Sequence, residues 1–400
     1  MTRLHSRLRR GAAAAMAAGL LVIFVPAESA YSRATPEPTA SSSAFPELTP
    51  AVAAQLDKSV TQVMSEANVP GVTVGLWAPG KGSYVRAFGV ADKATGARMS
   101  TGLNMRIGSE TKTFTVTALL TLVDEGKVSL DDPIGKYVEG VPNGDRITLR
   151  ELAGMRSGLF NYTMDQAFFK ALTTDPRRPF APQELLGYSF KHPVQFQPGE
   201  KFEYCNTNLI LVGLVVEKVS GQPIAEYIKR NVLEPAGLEH TLFPKAAEFP
   251  TPHAHGYTDQ TATGKVEDAT DWNPSWAWAA GAMISDLNDL RTWAHTLATG
   301  TLLSPATQAQ RMKMSPSGLP DTGYGLGIFN VAGWIGHNGS LPGYESLVVY
   351  LPEAKATLVV LLNTDVNYKG SEPSTLFGQA ITRIVTPQHI FKLPAQPAGR

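Results

Sequence analysis

A single cysteine, Cys205, stands in this chain of 400 residues, so no intrachain disulfide can form and no structural zinc site built from several thiolates is possible. An excess of charge is also missing: 35 Lys and Arg balance 35 Asp and Glu, which leaves out the basic footprint that nucleic-acid binding requires. There is no His-Glu-x-x-His, and His253 and His255 sit two apart in a proline-rich loop without a matching third ligand, so no metal site and no cofactor is expected. No serine has glycine two places before and two after it, which excludes a nucleophile elbow. Gly75 to Lys81 nearly spells a phosphate loop, but Gly82 replaces the Ser or Thr that would hold magnesium, and the segment reads as a turn. Internal repeats and heptads are absent too.

What is present begins with Arg3, Arg7, Arg9 and Arg10, followed by an apolar run from Gly11 to Val25, then Pro26 and small residues at Ala27, Ser29 and Ala30. This is the layout of a secretory signal peptide over residues 1–30, and the run is too short for a stable membrane anchor. Removing four arginines and Glu28 from totals of 35 and 35 leaves 31 basic against 34 acidic residues in an exported body. Residues 31–48, rich in Pro, Ser, Thr and Ala, read as a flexible linker, and the folded domain is expected over 49–388.

Thr49 and Pro50 open an amphipathic helix marked by Val52, Leu56, Val60, Val63 and Met64 and ending at Asn68. Residues 72–77 and 84–90 read as a β-hairpin. Helical periodicity then dominates, with helices expected over 114–124, 149–155, 183–190, 208–219 and 224–232. Strands return at 324–329, 334–337, 346–351 and 357–363, and residues 374–385 close as a helix. The expected fold class is α+β: an antiparallel sheet flanked by helices, assembled from about 49–108 and 280–388, with a mostly helical lobe inserted over about 109–279. A site is expected at the seam between the lobes.

Three short motifs carry chemistry. Ser109-Glu110-Thr111-Lys112 opens a helix, where residues three apart share a face, so an amine lies one turn from a serine hydroxyl near backbone N–H groups able to bind an oxyanion. Tyr204-Cys205-Asn206, the one Tyr-x-Asn, offers a phenol to shuttle a proton and an amide to hold a carbonyl. His337-Asn338-Gly339, the one His-x-Gly, is expected on an edge strand, with the Ser340 N–H completing an oxyanion hole opposite the Ser109 N–H. The motifs recur at intervals of about a hundred residues in the order Ser/Lys, Tyr/Asn, His/Gly.

On these motifs the chain resembles the serine β-lactamase and penicillin-binding superfamily, specifically its class C β-lactamase and exocellular D-alanyl-D-alanine carboxypeptidase branch. Supporting segments are Met105 to Gly108, Gly126 to Pro133, Ser157-Gly158-Leu159, Gln197-Pro198-Gly199 and Tyr324 to Gly327. The resemblance implies a β-lactamase/transpeptidase-like fold and a covalent acyl-serine on Ser109, with Lys112, alone or with Tyr204, as base and Tyr204 as donor to the leaving group. It further implies that His337 relays protons or carries positive charge, and that Asn206, Asn338, Gly339, Ser340 and Trp276 contact substrate. His337 in place of lysine resembles the carboxypeptidases, so a D-alanyl-D-alanine carboxypeptidase-like peptidase leads. A short-chain esterase, a β-lactamase and a non-catalytic β-lactam sensor or scaffold are the alternatives. The implied partner is a small molecule or peptide: a D-amino-acid peptide, an ester or a β-lactam. Phe329 stands where the carboxypeptidases place an arginine that binds the substrate's terminal carboxylate, and Cys205 where the family usually has serine.

Overall fold

The structure, a computed structural model, describes residues 45–394. The expected signal peptide and residues 31–44 of the expected linker lie outside them. Packing starts slightly earlier and ends slightly later than residues 49 and 388: Phe45 is buried, the Leu48 N–H donates to Lys81 O at 2.7 Å, and Phe391 is fully buried.

Helix α1, Pro50–Ala67, is fixed at both ends by its sequence. The Thr49 hydroxyl accepts from the Val52 N–H, Pro50 occupies the first turn, and Asn68 terminates the helix in the left-handed region at φ 52°. Strands β1, Gly71–Ala78, and β2, Gly82–Gly89, pair antiparallel, so the near-phosphate loop is a hairpin.

After the hairpin the chain builds the helical lobe around α2, Thr111–Asp124, and α3, Asn206–Ser220, with shorter helices at Leu149–Ala153, Gln166–Thr174 and Pro182–Phe190. Most of α2 is buried on every side, which explains why its apolar residues show no amphipathic stripe. The helix expected over 224–232 ends at Ile228 and continues as a π-helical turn, Lys229–Leu233. Helix α4, Leu287–Thr299, and a short helix at Pro305–Arg311 form where no element was expected.

The chain then returns to the sheet through β3 (Ser315–Pro316), β4 (Thr322–Tyr324), β5 (Phe329–Val331), β6 (Trp334–Leu341), β7 (Tyr344–Leu351) and β8 (Ala356–Leu362), and ends on α5 (Pro373–Val385). All eight strands form one antiparallel sheet in the order β2-β1-β8-β7-β6-β5-β4-β3. Tyr350 on β7 meets His295 of α4, whereas Leu347, of opposite parity, faces Gly378 of α5, so the two helices cover opposite faces. That double cover makes β1, β7 and β8 continuous buried runs instead of alternating ones.

Two expectations about the late strands need correction. Residues 324–329 are not one strand: the chain reverses at Gly325 to Ile328, with the Gly325 N–H donating to Ile328 O at 2.8 Å, because Gly327 takes φ +68°. The strand bearing His337 is not an edge strand either. β6 lies inside the sheet, but its pairing with β5 stops at Gly336, so residues 337–341 lack a strand on that side and open toward the helical lobe.

Candidate active site

Ser109 lies in a single 3-10 turn, Gly108–Glu110, that leads directly into α2. Several hydrogen bonds fix this turn against both lobes. The Ile107 N–H donates to Met283 O at 3.0 Å, Ile107 O accepts from Ser346 Oγ on β7 at 2.8 Å, and the Thr111 hydroxyl accepts from the Met283 N–H at 3.0 Å. Lys112, one helical turn on, is fully buried. Its Nζ contacts Ser109 Oγ at 2.8 Å and donates to Ala280 O at 2.7 Å, and it enters no ion pair among the described residues. Burial holds its amine well below the ordinary lysine range, which favours the neutral amine beside the serine.

Tyr204 precedes α3, and its segment is held to the loop before it by the Glu203 N–H on Met155 O, Cys205 Sγ on Leu159 O and Thr207 Oγ1 on Phe160 O. Lys112 Nζ lies 4.8 Å from the Tyr204 ring centroid, and the phenol hydrogen-bonds the Ser109 side chain. Burial raises the phenol above its usual range despite that bond, so Tyr204 keeps its proton. Cys205 is buried and its thiol is pushed up to about 11 by burial, which leaves it a packing residue and not a nucleophile. Asn206 lines the cleft, with its N–H on Asn161 Oδ1 at 3.2 Å and its Nδ2 on Thr163 Oγ1 at 3.4 Å.

From the sheet, β6 brings His337, Asn338, Gly339 and Ser340 to the same place. A methyl group at Gly339 would lie 2.9 Å from Ser109 N, and one at Gly108 2.6 Å from Ser340 N, so the two amides stand on either side of a narrow gap that tolerates no side chain. His337 is buried between the Tyr204, Tyr324 and Phe329 rings. Its Nδ1 bonds Asn338 O, which assigns the proton to Nδ1, and its Nε2 accepts from the Tyr324 hydroxyl at 3.1 Å. Burial, followed by the nearby Lys112, pushes the imidazole down to about 3. The expectation that His337 carries positive charge therefore does not hold at neutral pH: removing it from water favours the neutral ring.

A cleft of about 450 Å³ joins these groups, lined by Ser109, Tyr204, Asn206, His337, Asn338 and Ser340 among others. Trp276 does not line it. Its ring packs 5.9 Å from Phe168, and its carbonyl accepts from the Tyr162 hydroxyl. Sequence reasoning missed Glu372, which lines the cleft and accepts from Asn338 Nδ2 at 2.7 Å. An acidic residue directly before Pro373 at a helix start was the available signal. Of the histidines set aside as ligands, His255 pairs with Asp268 at 2.8 Å and His253 stacks on Phe249. Elsewhere His240, Asp286 and Asp289 cluster, but their oxygens already accept from one another's neighbours: His240 Nδ1 bonds Asp286, and the Thr241 hydroxyl bonds Asp289.

Comparison with known proteins agrees with this fold. The β-lactamase family model matches residues 56–376. Protein flp of Staphylococcus aureus (strain N315) is 27% identical over 325 residues, covering 78% of this chain and 64% of that protein, so the chain spans just under two thirds of that relative's length. The putative penicillin-binding protein PbpX of Bacillus subtilis (strain 168) is 27% identical over 287 residues, covering 71% of this chain and 68% of PbpX. Among solved structures, a D-stereospecific amidohydrolase from Streptomyces sp. aligns with TM-score 0.74 and 28% identity over 83% of this chain and 98% of that one. The D-amino acid amidase of Ochrobactrum anthropi SV3 aligns with TM-score 0.72 and 27% identity over 82% of this chain and 97% of that one. The chain belongs to the β-lactamase family, within a superfamily of serine hydrolases whose members include penicillin-binding proteins and D-amino acid amidases.

Proposed function

We propose that this protein is an exported serine amidohydrolase that cleaves amides or esters of D-configured acyl groups whose leaving group carries no charge. The observation that carries the reading is the 2.8 Å contact between Ser109 Oγ and the buried, unpaired Lys112 amine. Ser109 Oγ forms a bond to the substrate carbonyl carbon while its proton passes to Lys112 Nζ. The Ser109 and Ser340 N–H groups hold the oxyanion. As the tetrahedral adduct collapses, Tyr204 gives its proton to the leaving amine or alkoxide and is reprotonated by Lys112. Water, deprotonated by the same pair, then releases the acid and frees Ser109. Asn206 orients the substrate amide, and His337 acts as a neutral hydrogen-bonding wall that fixes Tyr324 beside Tyr204.

The choice of leaving group follows from charge. Among the described residues no lysine or arginine lines the cleft, and Phe329 occupies the place of the carboxypeptidases' arginine. A terminal carboxylate, whether of a D-alanyl-D-alanine peptide or of a penicillin, therefore finds no counter-charge. Amidohydrolase neighbours at TM-scores of 0.74 and 0.72 support the same choice, including its D-stereochemistry. Steady-state kinetics on D-phenylalaninamide, a p-nitrophenyl ester and a peptide ending in D-Ala-D-Ala test it. The amide and ester should exceed the peptide at least about tenfold in kcat/KM, and Ser109→Ala should abolish all turnover. A preference for the peptide would restore the carboxypeptidase reading. Export is part of the proposal, motivated by the arginine-led apolar segment before Pro26. N-terminal sequencing of the protein recovered outside the cytoplasm should find residues 1–30 removed.

A further inference from the structure

Among the described residues lining the cleft, Glu372 is the one with an acidic side chain. It stands just before α5, where its Oε2 accepts from Asn338 Nδ2 at 2.7 Å, and Asn338 in turn lies between His337 and the Gly339 that packs against Ser109. A second carboxyl backs it. Glu345, paired in register with Ser340, is buried; its Oε2 accepts from the Ser374 N–H at 2.7 Å, while its Oε1 has no partner among the described residues. Burial raises both carboxyls, and in Glu345 the charge of Glu372 adds to it. Among the described residues no lysine, arginine or histidine is ion-paired with either acid.

A buried acid beside a half-buried one, with no cation paired to either among the described residues, is an incomplete arrangement, since acidic side chains removed from water are normally matched by a counter-charge. The first N–H groups of α5 would otherwise make this end of the cleft attractive to anions. Here the protein's own carboxyls already occupy that position: Glu345 takes the Ser374 N–H, and Glu372 presents acid to the cleft. Burial leaves these acids leaning on protons for neutrality, and a cation from outside would take that place.

We propose that Glu372, backed by Glu345, is a specificity residue that binds an ammonium group of the substrate, so that the natural substrate is an amide or ester carrying a free amine near the carbonyl attacked by Ser109. This deepens the amidohydrolase reading and rests on it. The ammonium donates to the Glu372 carboxylate and to Asn338 Oδ1 in charge-assisted hydrogen bonds, and it neutralises the acid pair. An N-acylated or desamino substrate leaves that pair uncompensated.

The test separates binding from turnover. Ser109→Ala protein is titrated calorimetrically with D-phenylalaninamide and with its desamino analogue 3-phenylpropanamide at the same pH. The amine-bearing amide should bind at least about tenfold more tightly, and adding Glu372→Gln should bring the two affinities within about twofold. Equal affinities in the Ser109→Ala protein, no binding of the amine, or a preference that survives Glu372→Gln would each overturn the proposal. The comparison of the two probes on one protein decides the matter even if the Gln variant folds poorly. Turnover is then read on the parent protein: an ammonium preference in binding without Ser109-dependent hydrolysis of any amide or ester would sink the hydrolase reading and leave the subsite standing.

Discussion

An amine buried without a carboxylate beside it holds its proton poorly, and that fact assigns Lys112 its part. The ammonium form would need water or an acid, and the site offers one hydroxyl and one carbonyl, on Ser109 and Ala280. Arginine at this position keeps length and charge but stays protonated at any accessible pH. Lys112→Arg should therefore lower kcat/KM on an ester by about 10²–10⁴-fold, the usual worth of a general base, without recovery at high pH. In the parent, activity should rise as pH rises through the depressed Lys112 value and be fully developed below the ordinary lysine range. A pH–rate profile whose acid limb extends to the ordinary lysine range would show that the amine is charged in the resting site. At this scale the sequence was most readable where chemistry repeats along one element: Ser109 and Lys112 meet because a helix brings i and i+3 together. Glu372 was not readable, because it reaches Asn338 only when α5 packs beside a strand 34 residues earlier in the chain.

Between elements, the decisive contact is β6 against the 3-10 turn that carries Ser109. Gly339 has no room for a side chain: a methyl group would stand 2.0 Å from Ile107 O, 2.7 Å from Ser346 Oγ and 2.9 Å from Ser109 N. Backbone atoms cannot yield as a flexible side chain does, so Gly339→Ala must push β6 away from the turn and separate the Ser109 and Ser340 amides. We expect kcat to fall by about 10²–10³-fold, the cost of losing an oxyanion donor, while KM moves little. An unchanged kcat would show that the two amides do not act together. The periodicity that located α1, the hairpin, α3, β7, β8 and α5 worked because each has clear caps, turns or apolar runs. It failed at residues 324–329, where two glycines turn a continuous apolar stretch into a reversal, and at the strand of His337, whose neighbours are set by the whole sheet and not by its own residues.

Across the whole molecule, buried carboxyls shift in opposite directions and together shape stability against pH. Asp165 caps the helix Gln166–Thr174 and accepts from Lys191 at 2.9 Å and His192 at 2.7 Å. Burial alone would raise it, but these bonds outweigh burial and hold the carboxyl at about 2. Its stabilising effect is present above the ordinary carboxylate value and is lost as pH falls toward 2. Asp365 behaves in reverse. Burial pushes it up to about 6 in spite of hydrogen bonds from the Gly343 N–H, Thr258 and Gln260. Its contribution is complete below the ordinary value and is lost as pH rises through 6, and the raised carboxyls of Glu110 and Glu345 push the same way. Alone, these carboxyls would place the maximum near pH 4, but His337, pushed down to about 3, gains stability as pH rises from there to the ordinary imidazole value, so the Asp365 contribution is read from the difference between parent and variant. Asp365→Asn removes the titration while keeping an acceptor for Gly343, and the Gln260 amide can turn to accept from the new Nδ2. For a shift of this size the parent should lose about 3 kcal/mol from this residue between pH 4 and 7, or roughly 4 °C in Tm for a domain of this length. Calorimetric scans from pH 2 to 8 should show the parent losing stability relative to Asp365→Asn as pH rises from 4 to 7. Identical slopes in the two proteins would mean that Asp365 is already ionised at pH 4.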